Sequence, residues 1–195
     1  FDDTSCENVV IKNNLFSGIC RGFGSHSATL GIYYTDILIE GNVFENLDDM
    51  AMIMYNYKNC TITNNTITNC ASGIEFKAMS SLPNNNFNPP VVKSMEEAVD
   101  GFDDDANSVI SSNTISVSGD DEYGITSGIR LTGYEVKDNG VIPDYNFRVA
   151  GVKILENRIE SNGTTIALND AENCSIESNT VSYTHLRAHE TPEHL

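Results

Sequence analysis

Isoleucine and asparagine return at a fixed offset along this chain. The segments VVIKNNLF (9–16), ILIEGNVF (37–44), CTITNNTI (60–67), SVISSNTI (108–115), VKILENRI (152–159) and CSIESNTV (174–181) share one template. It reads small apolar or Ser, any, Ile, any, any, Asn, any, then Phe, Ile or Val. The isoleucines are Ile11, Ile39, Ile62, Ile110, Ile154 and Ile176, and the asparagines are Asn14, Asn42, Asn65, Asn113, Asn157 and Asn179. Alternation at period two in Val9-x-Ile11, Ile37-x-Ile39 and Cys60-x-Ile62 predicts short strands with one buried face, while Val10, Leu38 and Thr61 point the other way. The Asn is expected to bend the chain, because it tolerates the left-handed backbone conformation and bonds its neighbours. The Phe or Ile after it opens a second strand.

A third strand is predicted in most copies: GIYY (31–34), AMIM (51–54), GIEF (73–76), GIRL (128–131) and TIAL (165–168). Its inward residues are expected to include Ile74, Phe76, Ile129, Leu131, Ile166 and Leu168, with Glu75, Arg130 and Ala167 outward. One copy is then three strands and three turns in roughly 22 to 24 residues, the length of a solenoid repeat. No copy buries its apolar face alone, so copies must stack at about 4.8 Å, like residue over like. The stacked asparagines are expected to hydrogen-bond along the axis as a ladder.

The stretch NCTITNNTITNC (59–70) resembles the repeat of the pectin-lyase-like superfamily. That resemblance implies an all-β, right-handed parallel β-helix solenoid of five to six coils, each of three short strands. It covers residues 5 to about 180 and speaks to the scaffold, which carries lyases, hydrolases, epimerases, tailspikes, adhesins and copper-site maturation proteins. The domain reading is a β-helix over 1–180, as a fragment of a longer chain.

Successive template isoleucines are 28, 23, 48, 44 and 22 residues apart, so two neighbouring coils carry long insertions. One falls within 79–107 and the other within 132–149, both between a third strand and the next first strand. They should project side by side from one edge. Smaller additions at 20–29 and 118–126 are expected between second and third strands. In sugar-processing members of the superfamily such junction loops wall the substrate cleft; shielding of a sheet face is the competing reading.

The resemblance also directs attention to carboxylates. Asp48-Asp49 precede a third strand, and Asp120-Asp121 repeat them two coils on. This looks like the polygalacturonase-type pattern, where carboxylates protonate a leaving group and activate water. His26 resembles that family's histidine-bearing loop. The order differs, since His26 comes first and no Arg-Ile-Lys follows, so hydrogen-bonded turn caps are the alternative role for Asp48 and Asp49. For substrate binding the candidates are Tyr134, Tyr145, Arg130 and Glu75, with Tyr33 as a further sugar-stacking ring. Arg130 and Glu75 also read as a cross-strand ion pair of a fraction of a kcal/mol. Asp100, Asp103, Asp104 and Asp105 in DGFDDDAN (100–107) supply oxygens for calcium, the one cofactor the sequence suggests; a solvated acidic turn is the other reading.

Composition narrows the partners. A formal net charge of −17, with eleven Lys and Arg, argues against nucleic acid, which needs clustered cations. No apolar run is long enough to span a membrane. The partner expected is polysaccharide or a cell-surface glycan, and no obligate protein partner is inferred. Five cysteines without a C-x2-C pair argue against a zinc ribbon, and Cys60 and Cys174 fall where other copies place Val or Ile. The functional expectation is a secreted or cell-surface bacterial module, with the periplasm as alternative, that binds or processes polysaccharide as a lyase or glycoside hydrolase would. A non-catalytic adhesin-like repeat is one alternative. A copper-maturation protein similar to the β-helix partners of nitrous oxide reductase is another, but Met50, Met52 and Met54 alternate as core residues should.

His185, His189 and His194 stand at ligand-like spacing near the end of the chain. Yet VSYTHLRAHET (181–191) is similar to a translated transposon-end sequencing adapter. That likeness implies a non-native tail over 181–195, set aside from fold reasoning.

Overall fold

A computed structural model describes residues 5–24, 33–78, 106–119, 124–136 and 145–183, with backbone alone for 134–136 and 145–147. The first coil comprises β1 (Cys6–Lys12), β2 (Leu15–Ser17) and β3 (Phe23–Gly24). The second comprises β4 (Tyr34–Glu40) and β5 (Val43–Tyr55); the third β6 (Tyr57–Lys58), β7 (Thr61–Thr63) and β8 (Thr66–Lys77). The fourth has β9 (Ser108–Ser111), β10 (Thr114–Val117) and β11 (Ser127–Thr132), followed by the short strands β12 (Tyr134–Val136) and β13 (Tyr145–Phe147). The fifth holds β14 (Val149–Ala150), β15 (Val152–Leu155), β16 (Arg158–Ser161) and β17 (Thr164–Asn169), and the sixth β18 (Ala171–Glu172), β19 (Ser175–Glu177) and β20 (Thr180–Tyr183).

Strands stack between coils in parallel. The first-strand sheet has the order β1-β4-β7-β9-β15-β19, and the second and third strands join in a sheet that passes through the long strands β5 and β8. Register is one-to-one on the template: Ile11, Ile39, Ile62, Ile110, Ile154 and Ile176 form one column. Ile39, Ile62, Ile110 and Ile154 are fully buried. At roughly 1.5–3 kcal/mol for each buried aliphatic side chain, this column and its neighbour Phe16, Phe44, Ile67, Ile115, Ile159 and Val181 supply much of the driving force. Phe16 and Phe44 stack with ring centroids 4.6 Å apart.

The template asparagine does not make the bend. The left-handed residues are those just before it, Asn13, Gly41, Asn64, Ser112, Glu156 and Ser178, with φ between 54° and 65°. Turning one residue early leaves the following Asn aimed inward, where its side chain bonds instead of bending. Asn42, Asn65, Asn113 and Asn157 are buried. Asn65 shows the pattern: its backbone N–H donates to Asn113 Oδ1 at 2.9 Å, and its Nδ2 donates to Asn113 Oδ1, to Ile39 O of the coil before and to Thr63 O, each at 3.0 Å. Asn42 repeats all four contacts, and Asn113 and Asn157 repeat the two bonds to the next Asn and the Nδ2 bond to the Ile carbonyl of the coil before. The result satisfies donors at a corner where sheet pairing lapses.

Three further departures follow from register. GIYY (31–34) is not a third strand over its described part: Tyr34 opens β4 and pairs with Cys6 in the first sheet. The third strand of the first coil is Phe23–Gly24, which pairs with Met52–Ile53, so the 20–29 segment contains that strand instead of separating it from β2. Phe23 has the bulk to lie under Met52, and the Gly24 backbone lies so close to Ile53 O that a Cβ there would collide with it. Between 132 and 149 the chain forms an antiparallel pair, with Tyr134 opposite Phe147 and Val136 opposite Tyr145. Met50, Met52 and Met54 are core residues, but Ala51 and Ile53 between them are equally buried, so both faces of β5 are covered.

Cys60 replaces the Val of other copies and is buried under Tyr34 and Ser108. Burial pushes its thiol from an ordinary value of 9.0 up to about 12, and Cys70 is raised by the same cause. Above pH 9 the unfolded chain releases the Cys60 proton while the folded chain keeps it, so stability is whole below pH 9 and falls between 9 and about 12. We expect urea midpoints measured from pH 8 to pH 10.5 to fall in this window, at up to about 1.4 kcal/mol per pH unit from this thiol. Cys60→Val should remove that share of the slope; an unchanged slope would reject the assignment.

Candidate functional site

A cleft opens at the corner between the third strands and the first strands, at the roots of both long insertions. Its walls are Tyr33, Asn56, Tyr57, Lys58, Phe76, Lys77, Ala78, Ala106 and the run Arg148 to Ala150, around a shallow cavity of about 30 Å³. The fold places these residues for plain reasons. Tyr57 in β6 stacks on Tyr34 at 4.9 Å and meets Phe76 edge-on at 6.3 Å, which pins the floor. Lys77 ends β8 and Ala78 leads into the first insertion; Ala106 receives the chain on its return, and Arg148 does so for the second. Asn56 takes the left-handed turn that carries the chain round the corner.

Two of the cleft's cations lie over tyrosine rings, one of them in the cleft lining. Lys58 Nζ lies 4.6 Å from the Tyr33 ring centroid, and Lys77 Nζ lies 5.8 Å from that of Tyr55. Arg148 donates from Nη1 to Glu172 Oε2 at 2.7 Å on the exposed rim. In a chain of net charge −17 this gathers three cationic side chains at one edge. Such a lining can bind a carboxylate or sulfate and stack a pyranose ring. Tyr33 was legible in the sequence as a ring candidate. Lys58, Lys77 and Arg148 were not singled out, although their position at the roots of the insertions was a usable signal.

The aspartate pair separates. Asp49 is buried and accepts from Arg21 Nε at 2.9 Å and Arg21 Nη2 at 2.6 Å, whereas Asp48 is exposed. Both lie within β5 where its register shifts, not in a turn between strands. Asp48 lines a different, polar groove with Asn46, Asn69, Ser118 and Gly119, at the corner between second and third strands. His26, Asp120 and Asp121 lie outside the described residues, as do Asp100, Asp103, Asp104, Asp105 and the C-terminal histidines. Tyr134 and Tyr145 are placed by backbone only, on β12 and β13. Among the described residues no group of three or more His, Cys, Asp or Glu is arranged to hold a metal ion.

Glu75 and Arg130 face outward on neighbouring third strands, and both are only 3% exposed. Arg130 donates from Nε to Glu75 Oε1 at 3.0 Å and from Nη2 to Oε2 at 3.1 Å, and Thr132 Oγ1 donates to Oε1 at 2.8 Å. A surface pair of this kind contributes a fraction of a kcal/mol; a buried bidentate one is a different object, costly to break from one side. The structure joins these two residues to each other, away from the cleft lining.

Among the described residues no helix is long and apolar enough to cross a membrane. A family profile described as right-handed beta helix region matches residues 2–188. No curated protein and no solved structure matches this chain.

Proposed function

Starting from a chain that belongs to the right-handed β-helix family, we propose that it is a polysaccharide-binding module whose site is the cleft between the third- and first-strand corners. The observation that carries this reading is the cleft lining itself: Tyr33 and Tyr57 with Lys58, Lys77 and Arg148, at the roots of the two longest insertions. Tyr33 offers a ring for a sugar face above the buried Tyr57 floor, and the cationic side chains bind carboxylate or sulfate substituents through charge-assisted hydrogen bonds. Binding, not turnover, is the favoured activity. Of the carboxylates singled out in the sequence, Asp49 is committed to Arg21 and Asp48 lines another groove. An extracellular or cell-surface setting belongs to the same proposal, since that is where such polymers are met.

Affinity electrophoresis on gels containing polygalacturonate, alginate or a neutral glucan tests it. The full chain should be retarded by an acidic polymer, and Lys58→Ala with Lys77→Ala should weaken retardation about tenfold or more, with Tyr33→Ala acting in the same direction. Retardation by none of the polymers, or retardation indifferent to all three substitutions, rejects the site. Release of unsaturated uronate or reducing ends during the same incubation would replace binding by catalysis.

A further inference from the structure

We propose, resting on the polysaccharide reading of the cleft, that Glu172 is a built-in competitor which holds Arg148 against neutral glycans and yields it to the anionic group of an acidic one. Arg148 is part of the cleft wall, whereas Glu172 stands outside that wall in the sixth coil. Arg148 Nη1 donates to Glu172 Oε2 at 2.7 Å, and the two side chains are 55% and 45% exposed. Backbone pairing sets the carboxylate there. Strand β18 pairs with β14 so that Ala171 lies opposite Val149 and Glu172 opposite Ala150. Beside that pair, Val149 N–H donates to Asp170 O and Gly151 N–H donates to Glu172 O, each at 3.1 Å. Lys58 and Lys77 differ, since they lie over the Tyr33 and Tyr55 rings, and an ammonium on a ring face still donates to an approaching anion.

The selectivity follows from what each ligand offers in exchange. A neutral glycan presents hydroxyls, and a neutral acceptor does not replace a charge-assisted bond, so Arg148 stays with Glu172. A carboxylate or sulfate presents the same kind of bond that Glu172 makes, and the guanidinium passes from one anion to the other. Glu172 is tethered beside Arg148, at an effective concentration on the order of millimolar, which a dilute free anion does not match. A polymer already seated on Lys58 and Lys77 presents its next anionic group tethered in the same way, so it competes on equal terms. Once displaced, the Glu172 carboxylate remains near the ligand and repels it. Glu172 therefore lowers affinity for acidic polymers and leaves affinity for neutral ones untouched.

Affinity electrophoresis of the full chain on polygalacturonate and neutral glucan gels of graded concentration reads the exchange. Glu172→Gln should bind polygalacturonate about two- to fivefold more tightly than the unaltered chain, the range an exposed ion pair commands, and should bind the neutral glucan no differently. Glu160→Gln makes the same change of net charge on β16, among residues that do not line the cleft, and should give a smaller gain. With Arg148→Met in place, Glu172→Gln should gain no more than Glu160→Gln does. Circular dichroism should match across the set, because Arg148 and Glu172 are both about half exposed. A gain no larger than that of Glu160→Gln, a gain that survives Arg148→Met, an equal gain on neutral glucan, or weaker binding by Glu172→Gln overturns the competitor role and leaves the cleft as the site. An unaltered chain and variants that all run unretarded on the acidic gel remove the polysaccharide reading, and this inference with it.

Discussion

Asn113→Ala should cost about 3–5 kcal/mol of unfolding free energy, read from urea denaturation at pH 7. The substitution removes the Oδ1 that accepts from the backbone N–H and Nδ2 of Asn65, and the Nδ2 that serves Ile62 O and Asn157 Oδ1. Each group left behind is buried, and an unmet buried donor or acceptor costs about 1–3 kcal/mol. The same change at Asn14 should cost under about 1 kcal/mol, because its side chain is exposed and water replaces what is lost. Asn113→Asp is the sharper probe. It keeps the acceptor but turns the donor into a second oxygen facing Ile62 O and Asn157 Oδ1, so it should be the more damaging at pH 7 and partly relieved when acid protonates the carboxylate. Equal losses at positions 14 and 113 would show that the buried contacts do not carry the stability assigned to them.

Arg130→Met should be similarly severe, at about 3–5 kcal/mol, because it leaves the Glu75 carboxylate buried with only the Thr132 hydroxyl to meet it. Glu75→Leu removes the buried carboxylate that the guanidinium meets and should also destabilise the fold. The double variant Glu75→Leu with Arg130→Met removes both charges and should recover most of the loss, so the cycle should show strong coupling. Denaturant midpoints for the four proteins give the coupling energy. A coupling near zero would return this pair to the exposed, weakly contributing class that its place on the outward face of a strand suggests.

Much of the fold was legible because a solenoid writes its geometry locally. Each copy of the template repeats the same buried columns, so six readings of one eight-residue pattern determine strand and register together. The bend was misplaced by one residue for a physical reason: Asn serves equally as a left-handed turn residue and as a buried hydrogen-bonding group. The template Asn column is invariant, while the column before it reads Asn, Gly, Asn, Ser, Glu, Ser. Position 156 shows why composition misleads there, since Glu is no natural left-handed residue yet holds a φ of 55°. Its neighbours above and below impose the turn. GIYY failed likewise: its alternation is that of a strand, but whether Tyr34 ends one strand or starts another depends on which residue it pairs with.

The site was less legible than the fold. Tyr33 was visible as a ring, but Lys58 and Lys77 stand at opposite ends of the third coil and Arg148 at the start of the fifth, and only the superposition of corners brings them to one cleft. Adjacent residues were separated by the same logic. Asp48 and Asp49 are neighbours in sequence, yet a register shift sends one to solvent and the other to Arg21.

By itself, then, the sequence determined the repeat, the inward columns and the corners where insertions leave, because period-two burial and fixed offsets are properties of short segments. The tertiary structure alone decided that the outward pair Glu75 and Arg130 is buried, that Asp49 is committed to Arg21, and that three cationic side chains share a cleft. Each of these depends on residues from 19 to 90 positions apart, whose distance in space is set by how coils stack and not by any spacing along the chain.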